Sequence, residues 1–205
     1  MVFRPMPGTN RQGYKRETIA ANLRRFERAS GGTQAAAAVA VVVMPGRGGR
    51  CVPVFQRSHT LSRHAGQMAL PGGRVHDGES VVDCAIREAQ EELGLRLQPE
   101  DMLGALDDFD TRSGFTITPL VFWTEAGAST LELSPAEVFR VFLLDLDVLV
   151  DTAAAAAEGT SFSLRFPEFE MFAPTAAILY QFTEVALGGR DCRVADFYQP
   201  PFTHR

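Results

Sequence analysis

Cysteine is scarce in this chain, and its scarcity limits the classes of protein to consider. Cys51, Cys84 and Cys192 are the three cysteines among 205 residues, and their wide spacing follows no pattern. A disulfide framework or a structural zinc site requires paired or closely spaced cysteines. We therefore expect reduced thiols and a cytoplasmic location.

An excess of basic charge and long apolar runs are also lacking. Lysine and arginine number 20 against 25 acidic residues, which gives a net charge of -5. A protein that binds duplex DNA usually carries a basic surface, so we expect no nucleic-acid partner. The most apolar run, Ala35 to Met44, is too short to cross a bilayer, and we expect no membrane partner.

The chain length predicts a single domain over residues 1–205. Within it, residues 1–34 are expected to form an N-terminal arm and a short amphipathic helix. That helix is predicted at Glu17–Ala29, before the glycine pair at 31–32. Residues 35–200 mix strand and helix patterns without a regular strand–helix–strand alternation, which predicts a compact α/β sandwich.

Hydrophobic patterning predicts the elements of this core. An alanine run, 153–157, is assigned to an insertion without an inferred function. Helices are predicted at 80–93 and 174–187. Strands are predicted at 35–44, 51–56, 102–109, 115–124, 138–144 and 162–166.

The helix at 80–93 has clear signals at both ends. The residues from Ser80 to Asp83 fit a capping box, and Gly94 stands where a left-handed C-cap residue belongs. With about 100° per residue, the apolar side chains that fall within one arc of about 60° are expected to face the core. These are Val82, Ile86, Ala89 and Leu93.

Carboxylates crowd a different face of the same helix. Glu88, Glu91 and Glu92 fall within about 100° of one another. Three like charges so close destabilise an isolated helix, and a hard divalent cation that prefers oxygen ligands removes the conflict. This face is therefore a candidate Mg²⁺ or Mn²⁺ site.

A longer motif contains these carboxylates. From Gly73 to Leu95 the sequence is GRVHDGESVVDCAIREAQEELGL, which matches G-x5-E-x7-R-E-U-x-E-E-x-G-U, where U is aliphatic. On this match the chain resembles the Nudix hydrolases, which cut a diphosphate linkage with a divalent cation. The resemblance implies an α/β fold: a Nudix-type α/β/α sandwich with a mixed central sheet and a catalytic loop-helix-loop. The fixed positions are Gly73, Glu79, Arg87, Glu88, Glu91, Glu92 and Gly94.

The resemblance also implies roles for these residues. Glu91 and Glu92 look like direct metal ligands, together with the carbonyl oxygen of Gly72. Glu88 resembles either a further ligand or the general base, and both alternatives stay open.

The other fixed positions are expected to support the carboxylates. Glu79 and Arg87 resemble a pair that forms a salt bridge between the loop and the helix, so Arg87 would assist the catalytic residues without chemistry of its own. Gly73 and Gly94 are expected to be structural.

A second motif lies immediately upstream. The sequence RSHTLSRHAGQMALPGG, residues 57–73, resembles the segment L-L-T-K-R-[SA]-x3-R-x3-G-x3-F-P-G-G of coenzyme A diphosphatases. Ser62 occupies the second arginine position, and the arginine follows one residue later. Because guanidinium groups suit phosphate oxygens, the resemblance implies substrate binding by Arg57, Ser58 and Arg63.

One carboxylate outside these motifs is a further candidate. Glu137 lies in a segment, 134–138, that resembles the N-P-x-E-V segment of the same enzymes. It is expected to act as a metal ligand or base, with a helix-cap or surface acid as the alternative.

Together the resemblances predict hydrolysis of coenzyme A or acyl-CoA to 3′,5′-ADP and 4′-phosphopantetheine or its acyl form. Another nucleoside diphosphate derivative, such as NADH or ADP-ribose, remains an alternative substrate. A Nudix-fold binding module without turnover is the alternative of another class, disfavoured because every carboxylate of the motif is present. The oligomeric state is left open between monomer and homodimer.

Overall fold

The computed structural model describes residues 13–32, 35–62, 64–157, 162–197 and 199. Its helices are α1 (Arg16–Arg25), α2 (Val81–Leu93), α3 (Leu146–Ala157) and α4 (Thr175–Gln181), which continues as a π-helix (Phe182–Leu187). Short 3-10 helices lie at Pro99–Asp101 and Ala128–Thr130. The strands are β1 (Ala35–Pro45), β2 (Arg50–Arg57), β3 (Met68–Ala69), β4 (Gly72–Arg74), β5 (Met102–Ala105), β6 (Phe109–Asp110), β7 (Phe115–Trp123), β8 (Val138–Asp145), β9 (Leu164–Phe166) and β10 (Phe169–Met171).

Strand β1 is the centre of a mixed sheet. It runs parallel to β7, from Ala35 opposite Phe115 to Val43 opposite Trp123. It also pairs antiparallel with β4, and with β2 at its far end. β2 in turn pairs with β3 and β8, and β7 pairs with β5 and β6. The mixed central sheet expected from the sequence is thus present, and β9 and β10 form a separate hairpin.

Helices cover both faces of this sheet. Alternate residues of a strand point to opposite faces, and β1 follows this rule. Val41 and Val43 belong to a buried cluster with side chains of α1, α3 and α4. Ala38, Ala40 and Val42 belong to a second cluster with side chains of α2. The layers are therefore helix, sheet, helix, which confirms the predicted α/β/α sandwich.

Helix α2 begins and ends where its capping signals predict. The Ser80 hydroxyl accepts a hydrogen bond from the Asp83 N–H, 3.1 Å long. Gly94 has φ 70°, a left-handed conformation that glycine adopts without steric cost. Its N–H donates to the carbonyl oxygen of Gln90, so the last turn is closed.

The predicted core face of α2 is partly wrong. Ala89 and Leu93 are buried, but Val82 and Ile86 are only half-buried. Fully buried Cys84 and Ala85, together with Ala89, lie in the cluster with the alanines of β1. Small side chains on both elements permit a close helix–sheet approach, so the buried face is rotated from the one that hydrophobicity alone predicts.

Three other expectations are corrected. α1 ends at Arg25 rather than Ala29, because the following residues pair instead with the loop after β5: Arg28 contacts Asp108. The predicted strand at 102–109 is broken between β5 and β6 at this same loop. The alanine run is the last turn of α3, not a separate insertion, since alanine favours helix and Ala153 is buried in the core.

Among the described residues, no helix is both long and apolar enough to cross a membrane.

Candidate active site

Glu92 is a buried carboxylate at the C-terminal end of α2. It is 1% exposed. The Gly72 N–H donates to its Oε2 at 3.0 Å, and the Arg57 Nη1 lies 3.6 Å from its Oε1. Burial raises the pKa of Glu92 to about 8, against the opposing effect of the Gly72 hydrogen bond. An ionised Glu92 therefore requires positive charge nearby.

Glu88 and Glu91 lie one turn apart on α2 and share a single guanidinium. Arg87 Nη1 donates to Glu88 Oε1 at 2.8 Å and to Glu91 Oε2 at 3.1 Å. The side chain of Glu88 is 14% exposed and that of Glu91 is 56% exposed. Solvent exposure on this face thus falls from the Glu91 side chain to the buried Glu92 side chain.

Arg87 also holds the loop before the helix. It donates from Nε and Nη2 to the two carboxylate oxygens of Glu79, at 2.8 and 3.1 Å. Its Nη2 donates as well to the carbonyl oxygen of Arg74. The hydrogen bonds from Arg87, together with one from the His76 N–H, lower the pKa of Glu79 to about 2. This is the loop–helix salt bridge that the sequence resemblance implies.

The glycine pair at 72–73 lets β4 lie against the carboxylates. A Cβ on Gly73 would overlap the Glu88 carboxylate, and a Cβ on Gly72 would overlap the backbone of Ala38. In an antiparallel ladder the N–H and C=O of one residue point to the same edge. Because the Gly72 N–H reaches Glu92, the Gly72 carbonyl oxygen is expected on this same edge of β4.

The donor chemistry of this face fits a magnesium or manganese ion. Its carboxylate oxygens, and the carbonyl oxygen of Gly72, are ligands that hard divalent cations prefer. A cation would also offset the burial of Glu92. In the present arrangement Arg87 contacts Glu88 and Glu91, and across the described segments no three His, Cys, Asp or Glu side chains converge enough to hold a metal. A cation at Glu88 or Glu91 would compete with the Arg87 guanidinium for these carboxylate oxygens.

Glu137 lies close enough to Glu92 to raise the pKa of that carboxyl. It ends a turn that packs on the last residues of α2, since the Ser134 N–H donates to the Glu92 carbonyl oxygen. The Ser58 N–H in turn donates to the Glu137 carbonyl oxygen. The fold thus brings Glu137 to the acidic face from a distant part of the sequence.

A cleft of about 730 Å³ opens beside β4. Its floor is the sheet face formed by Gly72, Ala37 and Ile117, on neighbouring strands β4, β1 and β7. Its walls are formed by residues 64–70, which include β3, by the start of α4 and by the loop at 111–113. Gly72 and Gly73 line the cleft and also contact the carboxylates, so the two sites adjoin.

The side chains that line the cleft give it an excess of positive charge. Arg57, Arg74 and Arg112 line it, together with His64. None of the described residues that line it is Asp or Glu, although the chain as a whole is acidic. Such a local excess of positive charge attracts anions.

The substrate-binding residues expected from the sequence have different positions. Arg57 lines the cleft, and its buried Nε has no hydrogen-bond partner among the described residues. Ser58 is buried, its hydroxyl bonds to Thr60, and it is not among the residues that line the cleft. Arg63 lies outside the described residues.

Sequence reasoning missed three residues of the cleft. Arg74 lies beside the glycine pair and places its guanidinium 4.6 Å from the centre of the Phe115 ring. Arg112 and Gln199 are contributed by a loop and by the C-terminal segment. Only the position of Arg74, directly after the glycines in β4, was a signal that the sequence offered.

Comparison with known proteins agrees with this architecture. The family model described as NUDIX domain matches residues 34–177. A relative from Cronobacter sakazakii, the uncharacterized Nudix hydrolase NudL, is 43% identical over 89 residues, which are 43% of this chain and 45% of that protein. NudL from Photorhabdus laumondii is 39% identical over 92 residues, which are 44% of this chain and 49% of that protein. The match spans about half the length of these curated relatives.

Solved structures share the fold. A MutT/nudix family protein from Enterococcus faecalis has a TM-score of 0.54 and 18% identity, covering 79% of this chain and 66% of that one. A Nudix hydrolase from Alicyclobacillus acidocaldarius has a TM-score of 0.51 and 17% identity, covering 71% of this chain and 89% of that one. Since the family model covers well over half of its length, the chain belongs to the Nudix family.

Proposed function

We propose that the protein is a diphosphatase that hydrolyses coenzyme A or acyl-CoA with Mg²⁺ or Mn²⁺. The observation that carries the proposal is the junction of two sites of opposite charge. Among the described residues, the cleft is lined by three arginines and no carboxylate, and it adjoins, through Gly72 and Gly73, a face of three glutamates. One site suits the phosphates of a substrate, and the other suits a divalent cation.

The acidic residues are assigned different roles at the scissile bond. Glu91 and Glu92, with the Gly72 carbonyl oxygen, would hold the cation, and Glu88 would serve as a further ligand or as the base. When bound, the cation supplies Lewis acidity toward a phosphoryl oxygen. A carboxylate at Glu88 or Glu137 orients a water and accepts its proton during in-line attack on phosphorus. One water molecule is added across the P–O–P linkage, so that each of the two products carries one of its phosphates.

Arg57 connects the two sites. Its Nη1 approaches Glu92 while its side chain lines the cleft. A buried guanidinium N–H without a partner is costly, and a phosphate oxygen of the substrate would supply the acceptor. We therefore assign Arg57 to the substrate phosphates.

Coenzyme A is favoured over other diphosphates by the segment at residues 57–73. That segment forms part of β2, the loop to β3 and the glycine pair, so it supplies much of one cleft wall. Its resemblance to coenzyme A diphosphatases therefore falls partly on residues that line the cleft. The second candidate is another nucleoside diphosphate derivative, because Ser62 departs from the arginine of that pattern.

A substrate panel tests the proposal. The purified protein is incubated with coenzyme A, acetyl-CoA, NADH or ADP-ribose, with Mg²⁺ or Mn²⁺, and products are identified by mass. We expect 3′,5′-ADP with 4′-phosphopantetheine or its acetyl form at the highest kcat/KM, and no products in excess chelator. A higher kcat/KM for NADH or ADP-ribose would transfer the assignment to that compound, and no turnover of any compound would favour the binding-module alternative.

A further inference from the structure

Gln199 fastens one wall of the cleft. Its side chain is 7% exposed, although it lies close to the C-terminus. The Arg112 N–H donates to its Oε1 at 3.0 Å, and its Nε2 donates to the Asp110 carbonyl oxygen at 2.9 Å. Both ends of one buried amide are thus satisfied by main-chain groups, those of Asp110 at the end of β6 and of Arg112 in the loop that follows.

The loop itself is tight and polar. The Thr111 N–H and hydroxyl both donate to the Phe115 carbonyl oxygen, at 2.7 and 2.9 Å. The Thr111 hydroxyl also contacts that of Ser113. The Gln199 amide therefore holds a loop that is already ordered internally, which fixes the point from which the exposed Arg112 side chain departs.

Arg112 lies across the sheet from Gly72, whose N–H contacts the Glu92 carboxylate. β1 and β7 lie between β4 and this loop. The loop is thus more than two interstrand spacings, roughly 10 Å, across the sheet from Gly72. A diphosphate held beside the carboxylates of α2 would leave Arg112 for a different group of the same ligand.

From this geometry we infer that Arg112 binds a second phosphate of the substrate, one separated from the diphosphate, and that Gln199 is the residue that positions it. The inference rests on the proposed function, because coenzyme A carries a phosphate of this kind on the ribose 3′-oxygen. Arg112 determines specificity, whereas Gln199 acts through the loop and need not touch the substrate.

Equilibrium binding of 3′,5′-ADP and 5′-AMP, without metal and without turnover, tests the inference by calorimetry. The wild type should bind 3′,5′-ADP about ten- to a hundredfold more tightly, as a charge-assisted contact provides. Arg112→Ala should bind the two nucleotides within about twofold of each other. Arg47→Ala removes an equal charge from the turn after β1 and should keep the wild-type preference.

The positioning role of Gln199 is tested with single variants and with a double variant that also carries Arg112→Ala. Gln199→Met should lose most of the preference, and adding it to Arg112→Ala should cause no further loss, because both changes remove one interaction. Gln199→Glu keeps the acceptor for the Arg112 N–H but not the donor to Asp110, and should lose part of the preference. If Gln199→Met fails to fold by circular dichroism, the Gln199→Glu result decides the positioning role.

The inference is overturned by a wild type without preference, or by an Arg112→Ala protein that retains it. The role of Gln199 would be overturned if Gln199→Glu and a folded Gln199→Met both kept the wild-type preference for 3′,5′-ADP over 5′-AMP. Selective binding of 3′,5′-ADP by an enzyme that does not hydrolyse coenzyme A would contradict the proposed function and leave this inference standing.

Discussion

Among single residues, Glu92 combines burial with charge. Its carboxylate has a backbone N–H on one oxygen and a guanidinium on the other side, yet burial still raises its pKa to about 8. A protein that only had to fold would gain by replacing such a group with a neutral one. On our proposal that Glu92 binds a divalent cation, that ion would stabilise the ionised carboxylate and offset this cost.

This explanation predicts a pH-dependent stability difference between the wild type and Glu92→Gln in chelator. The folded pKa of Glu92, about 8, exceeds its ordinary value of 4.5, so the folded state binds more protons between these values. The free energy of unfolding contributed by Glu92 therefore falls as pH rises from about 4.5 to about 8. Glu92→Gln removes this slope and should gain stability relative to the wild type across that range.

Urea unfolding from pH 4.5 to 8 measures the difference. Saturating Mg²⁺ should reduce it by stabilising the wild type selectively. A wild-type and variant pair whose stabilities change in parallel with pH would show that Glu92 is not a costly buried acid.

At the level of elements, the loop-helix unit depends on a close approach between β4 and α2. Gly72 and Gly73 permit that approach, and Arg87 braces it through Glu79. The carboxylates are thus aimed by the strand as well as by the helix. A change in β4 should therefore affect catalysis without altering any acidic residue.

Gly73→Ala tests this dependence. The added Cβ would overlap the Glu88 carboxylate, which lies at the end of a flexible side chain and can move. We expect the fold to persist while turnover falls, by up to about a hundredfold, since a misplaced catalytic group costs that much. Gly127→Ala is the control, because nothing lies within 4 Å of a Cβ there. Equal activity of the two variants would argue that Glu88 needs no fixed position.

The sequence predicts this unit well because its signals are local. Ser80 and Gly94 mark the ends of α2, and the spacing of Glu88 and Glu92 places them on one face. The burial of Glu92 was not predictable, since it depends on Gly72 and on the turn at 134–137. Nor was the Gln199 contact, which joins residues that are 87 positions apart.

At the scale of the whole molecule, the sign of the charge in the cleft is opposite to the net charge of the chain. The chain has a net charge of -5, yet the described residues that line the cleft include three arginines and no acid. The acidic face of α2 lies on the other side of the glycine pair. On the proposed function, this separation would let one substrate present phosphates to the arginines while its scissile bond meets the carboxylates.

The arginines of the cleft predict a preference within one family of substrates. Coenzyme A should have a kcat/KM about ten- to a hundredfold above that of dephospho-coenzyme A, which lacks the 3′-phosphate. Steady-state rates for both compounds at one metal concentration measure the ratio. Raising the salt concentration should reduce it, because the contacts are between charges that are partly exposed to water. Equal values would exclude recognition of the 3′-phosphate.

Turnover of carboxamide variants tests whether the glutamates of α2 support metal-dependent hydrolysis of a diphosphate. Coenzyme A hydrolysis is followed at saturating Mg²⁺ for the wild type, Glu91→Gln and Glu92→Gln, with circular dichroism as the check of folding. Each variant should lose at least about a hundredfold in kcat, because each lacks a charged ligand of the cation. A folded variant with a near-normal rate would contradict the account for that residue.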